Sequence, residues 1–268
     1  MEILRRTQTE KPIKAALFDF DGTLSTLRHG WEEVMEPLML EMIAGESLPG
    51  VDLVKEVREY IDRSTGIQTY YQMKWLAETV KRYGRNPGAA DDPWWYKAEY
   101  NKRLMEIVDR RKASIHSGRK AASDYLVKGS EEFLGALHEN GIDIYVASGT
   151  DDPDVKTEAE VLGLKEYFKE IAGAPPGKAD CSKEAVLKKL MEEHCLQGPE
   201  VLVVGDGRVE IALGREAGAR TLGVASDEVK RCGIHAEKRD RLVKAGAEVI
   251  AGDFTELNEI SEWLGLRR

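Results

Sequence analysis

Cysteine is scarce in this chain of 268 residues. There are three, Cys181, Cys195 and Cys232, with no CxxC spacing. That argues against a disulfide framework and against a thiolate zinc site, and it implies a reducing, cytoplasmic compartment. No apolar run comes near the ~20 residues that span a bilayer, so no membrane role is expected. The opening residues, MEILRRTQTEKP, are too polar for a signal peptide. Excess positive charge is missing as well: 39 Lys and Arg stand against 48 Asp and Glu, a net charge of -9. Such a balance argues against a nucleic-acid partner. It also means that an anionic substrate meets a repulsive field unless a cation is held locally. Strand-like apolar runs are absent from about residue 25 to about residue 127, where only helical spacing recurs. There is no internal repeat and no low-complexity tract.

What is present is organised around Leu17-Phe-Asp-Phe-Asp-Gly-Thr-Leu24. A short apolar run, Ile13 with Ala15 to Phe18, reads as a buried parallel strand. It ends in two aspartates one residue apart. Side chains alternate along extended chain, so Asp19 and Asp21 can converge on one space. Carboxylates that close raise each other's pKa unless a cation intervenes. For an oxygen-only site open to phosphate that cation is Mg²⁺. One aspartate can attack phosphorus while the other handles the proton of the leaving group. Gly22 suits a sharp turn, and Thr23 offers a hydroxyl to the turn or to phosphate. The competing explanation is an acidic strand end followed by a glycine turn.

The rest of the chain decides between them. Trp31, Val34, Met35, Leu38 and Met42 form a helical stripe stopped by Gly45, with Pro37 predicting a kink or a later start. A second stripe runs through Leu53, Val54, Val57, Tyr60 and Ile61, and a third from about Gln68 to Tyr83, stopped by Gly84. Asp92-Pro93 opens a fourth helix through Leu104 and Val108. Strand signals then return at 142–147, near 170–172, at 201–204, 221–224 and 247–250. Helices are expected at 131–139, 152–162, 182–194, 209–217, 237–245 and 255–264. Residues 1–12 read as a peripheral lead-in. Alternating strands and helices predict an α/β fold, a doubly wound parallel sheet, with about a hundred residues of helix inserted after the first strand. The expected division is 1–25 with 128–268 as the α/β core and 26–127 as an all-helical insert.

Three further candidate positions fall at strand ends or helix starts. Ser148 follows the apolar run IYVA, where its hydroxyl and the Ser148-Gly149 amides can hold a phosphoryl oxygen; a plain Ser-Gly turn is the alternative. Asp206 follows VLVVG, and Glu210 lies one helical turn on, so both carboxylates can face one metal. Gly205-Asp-Gly-Arg-Val-Glu210 also looks like the start of a dinucleotide fingerprint, with Asp227 near the place of the ribose acid. Glu210 in place of the third glycine counts against a nucleotide-binding module. A lysine is wanted to offset the phosphoryl charge. Lys183, in the first turn of its helix against the dipole, and Lys178, in a glycine-flanked loop, are the candidates.

DFDGT, the strand ending in Ser148, the helix-leading Lys183 and GDGRVE, in that order, resemble the haloacid dehalogenase (HAD) superfamily. The resemblance covers the whole α/β part and points to relatives of the phosphoglycolate phosphatase and β-phosphoglucomutase type. It implies that Asp19 is the nucleophile and forms an aspartyl-phosphate. It implies that Asp21 is the general acid/base and gives its backbone carbonyl to Mg²⁺. Ser148 and Lys183 would bind the phosphoryl group, Asp206 would ligate the metal, and Glu210 would support the metal or its waters. An acid at position 21 points to a phosphatase or phosphomutase acting on a small phosphorylated metabolite. Two departures stand out: Glu210 where Asp is common, and a lysine outside a Lys-Pro context.

The helical insert resembles the family's cap, which closes over the site and reads the leaving group. Candidate substrate contacts are Arg28 and His29, just past the first hinge, and Arg63, Gln68 and Thr69 in the turn Arg63-Ser-Thr-Gly-Ile-Gln-Thr69. An exposed polar turn between helices is the alternative for that segment. Trp94 and Trp95 read as packing residues of the cap. The charged stretch Asp227 to Arg241 reads as a solvated face.

Overall fold

A computed structural model describes residues 1–5, 11–179 and 182–267. Cys181 lies outside the described residues, as does part of the lead-in. The sheet has seven strands: β1 (Glu2–Ile3), β2 (Ala15–Phe18), β3 (Asp143–Asp151), β4 (Phe168–Ala174), β5 (Val201–Gly205), β6 (Arg220–Val224) and β7 (Val249–Ala251). Their order across the sheet is β1-β7-β6-β5-β2-β3-β4. Every pair is parallel except β1 with β7. Part of the expected lead-in is therefore an antiparallel edge strand, with Glu2 opposite Ile250.

The inner strands β2, β5, β6 and β7 are short and buried on both sides because alternate residues serve different layers. Ala16, Phe18, Ile144, Val146, Leu202 and Val204 face one layer, packed by α5 (Ser130–Glu139), α6 (Asp152–Val161) and α10 (Leu257–Leu264). Ala15, Leu17, Tyr145, Val201 and Val203 face the other, with α7 (Lys183–Glu193). On that same side α8 (Arg208–Glu216) and α9 (Ala236–Ala245) share a smaller cluster around Ile211 and Leu242. Phe18 meets Phe133 edge to face at 5.9 Å. Burying such a ring is worth roughly 2–3 kcal/mol, and the layers together fix β2 in the middle of the sheet.

Between β2 and β3 stand α1 (Glu32–Ala44), α2 (Val51–Arg63), α3 (Thr69–Tyr83) and α4 (Pro93–His116). They enclose an apolar cluster of their own that includes Met35, Met39, Val57, Met73, Leu76, Tyr96 and Leu104. The α1 helix starts at Glu32 with Pro37 inside it, so the proline does not delay its start. Its buried face is Met35, Leu38, Met39 and Ile43, one position round from the predicted stripe, which leaves Val34 and Met42 half-buried. As predicted, α4 is capped by Asp92, whose carboxylate accepts from Trp94 N at 2.9 Å. It runs on to His116 because Asp109 to His116 holds no glycine or proline to stop it. Trp94 packs against Tyr70 at 4.4 Å, and Trp95 against Tyr96 at 5.2 Å.

Candidate active site

The site lies at the carboxyl ends of β2, β3 and β5. Because β3 and β5 flank β2 in register, Phe18 pairs with Val146 on one side and Val204 on the other. The residues just beyond these pairs meet in one place: Asp19, Ser148 and Asp206. Gly22 allows the closest approach. It has φ +76°, and a Cβ there would sit 2.3 Å from Asp206 Oδ2. Only glycine lets the turn after β2 lie on that carboxylate.

Asp19, Asp206 and Glu210 are all buried, and a carboxylate oxygen from each lies within 4.8 Å of the others. Glu210 is held in the first turn of α8, where it accepts from Gly207 N at 2.6 Å. This folded-back carboxylate fills the helix N-terminus that a pyrophosphate would need, and Asp227 is engaged by Lys230 N at 2.9 Å and Nζ at 2.8 Å. The nucleotide-binding alternative loses both of its residues. Three carboxylates with no nitrogen or sulfur donor form a hard-cation set, suited to Mg²⁺ and not to softer metals.

Lys183 is buried at the start of α7, and Ser182 caps that helix through Ala185 N at 3.1 Å. Its Nζ reaches Asp19 Oδ1 at 2.8 Å and Glu210 Oε2 at 2.9 Å. Lys178 is exposed and lies outside the pocket lining. Of the two candidates, Lys183 reaches the carboxylates and Lys178 does not line the pocket. Burial pushes the Asp19 carboxyl well above its ordinary range, Lys183 pulls it down, and Glu210 and Asp206 push it up again. The Lys183 ammonium, though burial works against it, is held charged by the Asp19 and Glu210 carboxylates.

Asp21 lines the same pocket, but its side chain turns away from the three-carboxylate cluster. Its Oδ2 accepts from Thr150 Oγ1 at 2.8 Å, and Oδ1 lies 3.9 Å from Arg28 Nε. The Asp21 carboxylate is thus held by Thr150 and Arg28, and the backbone carbonyl expected to face the metal is a separate group. Burial raises its carboxyl above the usual range against the pull of Arg28 and Thr150. A carboxyl moved in that direction binds its proton more readily, which suits proton donation. Ser148 is buried in the lining, with its Oγ accepting from Thr150 N at 3.1 Å, and Gly149 lies beside it. Thr150 was not predicted. It results from β3 running on to Asp151, four residues past the expected end, with a register irregularity against β4 after Ala147.

Of the remaining predicted contacts, Arg28, His29 and Thr69 line the pocket. Arg28 is buried and forked onto Glu158, with Nη2 at 2.6 Å and Nε at 3.1 Å from Oε1. His29 Nδ1 lies 3.2 Å from Glu228 Oε2. The structure does not bring in the others. Thr23 is fully buried and outside the lining. Gln68 is buried at the N-cap of α3, behind the lining residues Ile67 and Thr69. Arg63 is exposed and lies over the Tyr60 ring at 5.1 Å. It lies one turn after Tyr60 at the end of α2 and covers the outer face of that ring. Gly66, in the same turn, does reach the site: a Cβ there would be 3.3 Å from Glu210 Oε2.

The stretch from Asp227 to Arg241 is only in part a solvated face: Val229, Lys230, Glu237 and Asp240 are exposed, but other residues turn inward. Glu228, Lys238 and Arg241 line the pocket. Lys238 Nζ lies 2.8 Å from Asp206 Oδ2, 2.6 Å from Glu228 Oε1 and 3.2 Å from Ser226 Oγ. The sequence signalled only where the stretch begins, since Ser226 and Asp227 follow another apolar strand, β6. Glu158 carried a signal too, since it shares a helical face with Val155, Ala159 and Leu162.

The family model for haloacid dehalogenase-like hydrolases matches residues 13–218. The chain belongs to that family. It is 25% identical over 218 residues to a phosphoglycolate phosphatase of Vibrio vulnificus (strain YJ016), covering 81% of this chain and 85% of that protein. It is 23% identical over 252 residues to a phosphoglycolate phosphatase of Rhodospirillum rubrum, covering 94% and 91%. Among solved structures, a β-phosphoglucomutase from Clostridium difficile superposes with a TM-score of 0.66 at 16% identity, covering 94% of this chain and 97% of that one. A predicted phosphoglycolate phosphatase from Haemophilus somnus 129pt gives 0.63 at 15%, covering 94% and 100%. These superpositions show a shared fold, so this HAD hydrolase has the α/β core and helical insertion that its sequence predicts. No helix among the described residues is long and apolar enough to cross a membrane.

Proposed function

We propose that this HAD hydrolase is a phosphatase that hydrolyses a small phosphomonoester, a sugar phosphate or a phosphoglycolate-like acid, through an aspartyl-phosphate on Asp19. The observation that carries the reading is the meeting of Asp19, Asp206 and Glu210 around one space, with Lys183 Nζ 2.8 Å from Asp19. The relatives' names as phosphoglycolate phosphatases agree with it.

Asp19, Asp206 and Glu210 would hold Mg²⁺, with the Asp21 backbone carbonyl. When bound, the ion supplies charge neutralisation between carboxylate and phosphoryl oxygens. Asp19 Oδ attacks phosphorus in line as the bond to the alcohol oxygen breaks, and Asp21 gives that oxygen its proton. Water then attacks phosphorus, Asp21 takes its proton, and the Asp19–phosphorus bond breaks. Lys183, Ser148 and the Gly149 amide hold the phosphoryl oxygens throughout.

Residues 26–127 act as the cap, and 1–25 with 128–268 as the catalytic core. The separate apolar cluster of α1–α4 supports this division. Leu126 and Val127 pack with the core, which moves the closing boundary back a few residues. The cap is seated on the core by Tyr71 Oη donating to Ala179 O at 2.7 Å and by Asn101 Nδ2 donating to Asp151 Oδ2 at 2.8 Å, with Lys97 on the same carboxylate.

The test is phosphate release from a panel of phosphomonoesters with Mg²⁺, using Asp19→Asn as the blank. Release abolished by the substitution is expected. Isomerised sugar phosphate in place of inorganic phosphate would identify a phosphomutase instead. Silence across the panel together with no Mg²⁺ binding would overturn the assignment.

A further inference from the structure

The pocket is a cavity of about 810 Å³, its open mouth included. Beyond the phosphoryl end it widens toward α1, α2 and the 226–241 segment, into a second cavity that shares His29, Glu32, Thr65, Glu228, Lys238 and Arg241 with the first. The leaving group must lie in this space.

Every cation of the pocket lining already faces carboxylate. Lys183 is taken by Asp19 and Glu210. An ammonium has three donors, and Lys238 meets Asp206, Glu228 and the Ser226 hydroxyl, which uses all three. Arg28 is ringed by Glu158, Asp154 and Asp21. Arg241 reaches to Asp62 at 3.2 Å, and His29 to Glu228. Glu32 opens onto both cavities and makes no ion pair with any described residue. A bound Mg²⁺ and a phosphoryl dianion cancel each other's charge, so they leave this balance as it is.

A substrate carboxylate in the mouth would join Glu32, unpaired among the described residues, where Lys238, His29 and Arg241 already serve Asp206, Glu228 and Asp62, adding an acceptor-only anion with no new counter-charge. Hydroxyl groups, by contrast, donate to carboxylates and exchange hydrogen bonds with Thr65, Thr69 and Gln72. Resting on the phosphatase reading above, we propose that the substrate is the phosphate ester of an uncharged polyhydroxy alcohol and that esters of hydroxy acids, phosphoglycolate among them, are rejected. Like charges brought together in a partly desolvated site cost enough to make this a strong preference.

Matched pairs test it on the full chain with Mg²⁺: 2-hydroxyethyl phosphate against phosphoglycolate, glycerol 3-phosphate against 3-phosphoglycerate, and glucitol 6-phosphate against 6-phosphogluconate. Each pair differs by a hydroxymethyl in place of a carboxylate. We expect kcat/KM to be at least about tenfold higher for the neutral member of each pair. Glu32→Gln should narrow that gap, and so should added salt. Equal rates, or faster hydrolysis of the acids, would overturn the inference while leaving the phosphatase reading intact. A gap unchanged in Glu32→Gln would remove Glu32 from it. No phosphate from any ester would overturn the phosphatase reading, and this inference with it.

Discussion

The two lysines of the pocket stand in similar surroundings by different routes. Lys183 and Lys238 each lie between two carboxylates, and both are held charged by them against burial. Lys183 belongs to the inner end, where strand tips and helix starts converge and sequence position nearly dictates spatial position. Lys238 belongs to the mouth, which is assembled from α1, α4, the cap turn and a loop returning from β6. The inner end is set by sheet register. The mouth is set by how two packed bodies meet, so it can change its chemistry while the inner end keeps its own.

The contrast can be broken first at Asp19. Asp19→Asn should lower phosphate release by on the order of 10³-fold or more with every ester tested. A loss that varied with the ester would merge the two ends. Next, Lys183→Met should lower kcat/KM about 10²–10³-fold. Without metal it should also cost roughly 3 kcal/mol of stability, because Asp19 and Glu210 lose their buried counter-charge. Thermal melts should show Mg²⁺ restoring much of that loss, and no restoration would remove the metal from this cluster.

At the mouth the effects are smaller. Lys97→Ala removes a buried tie between α4 and Asp151 and should shift kcat and KM together by severalfold, as cap seating does. Unchanged steady-state constants would show that this tie does not hold the cap. Smallest is His29. Its hydrogen bond to Glu228 raises its pKa above the ordinary 6.5. The stabilising contact is therefore complete below the unfolded value and is lost as pH rises through the folded one. With the ring over a third exposed, it is worth about 0.5 kcal/mol or less. An NMR titration should find the raised pKa and Glu228→Gln should lower it; an unmoved pKa would deny the pairing.

Most of the inner end was legible because strand tips repeat one rule. An apolar run fixes a strand, parallel neighbours fix its end, and Asp19, Ser148 and Asp206 then meet without further information. Where that rule stopped, so did legibility. Asp21 shares the expected side of the chain, but its hydrogen bond depends on Thr150, and Thr150 depends on β3 outrunning its apolar stretch. Arg63 was placed by its neighbourhood to a glycine turn, and helix phase turned it outward. Glu228 and Lys238 carry the same charges as surface residues do. Only tertiary contact distinguishes them, and composition cannot supply that. The insert was legible as helices, as one cluster and in its pocket residues Arg28, His29 and Thr69, but Gln72 and Tyr100 were not, because they depend on the pose of the cap.

Between Ser148 and Asp151 the extended end of β3 carries Ser148 of the pocket lining, the Thr150 hydroxyl that holds the Asp21 carboxylate, and, on the other side, the Asp151 anchor for α4. Four residues thus act as a ruler with three marks. Lengthening that stretch by a single residue would displace all three at once, so one backbone segment keeps chemistry and closure in step with no moving linkage between them.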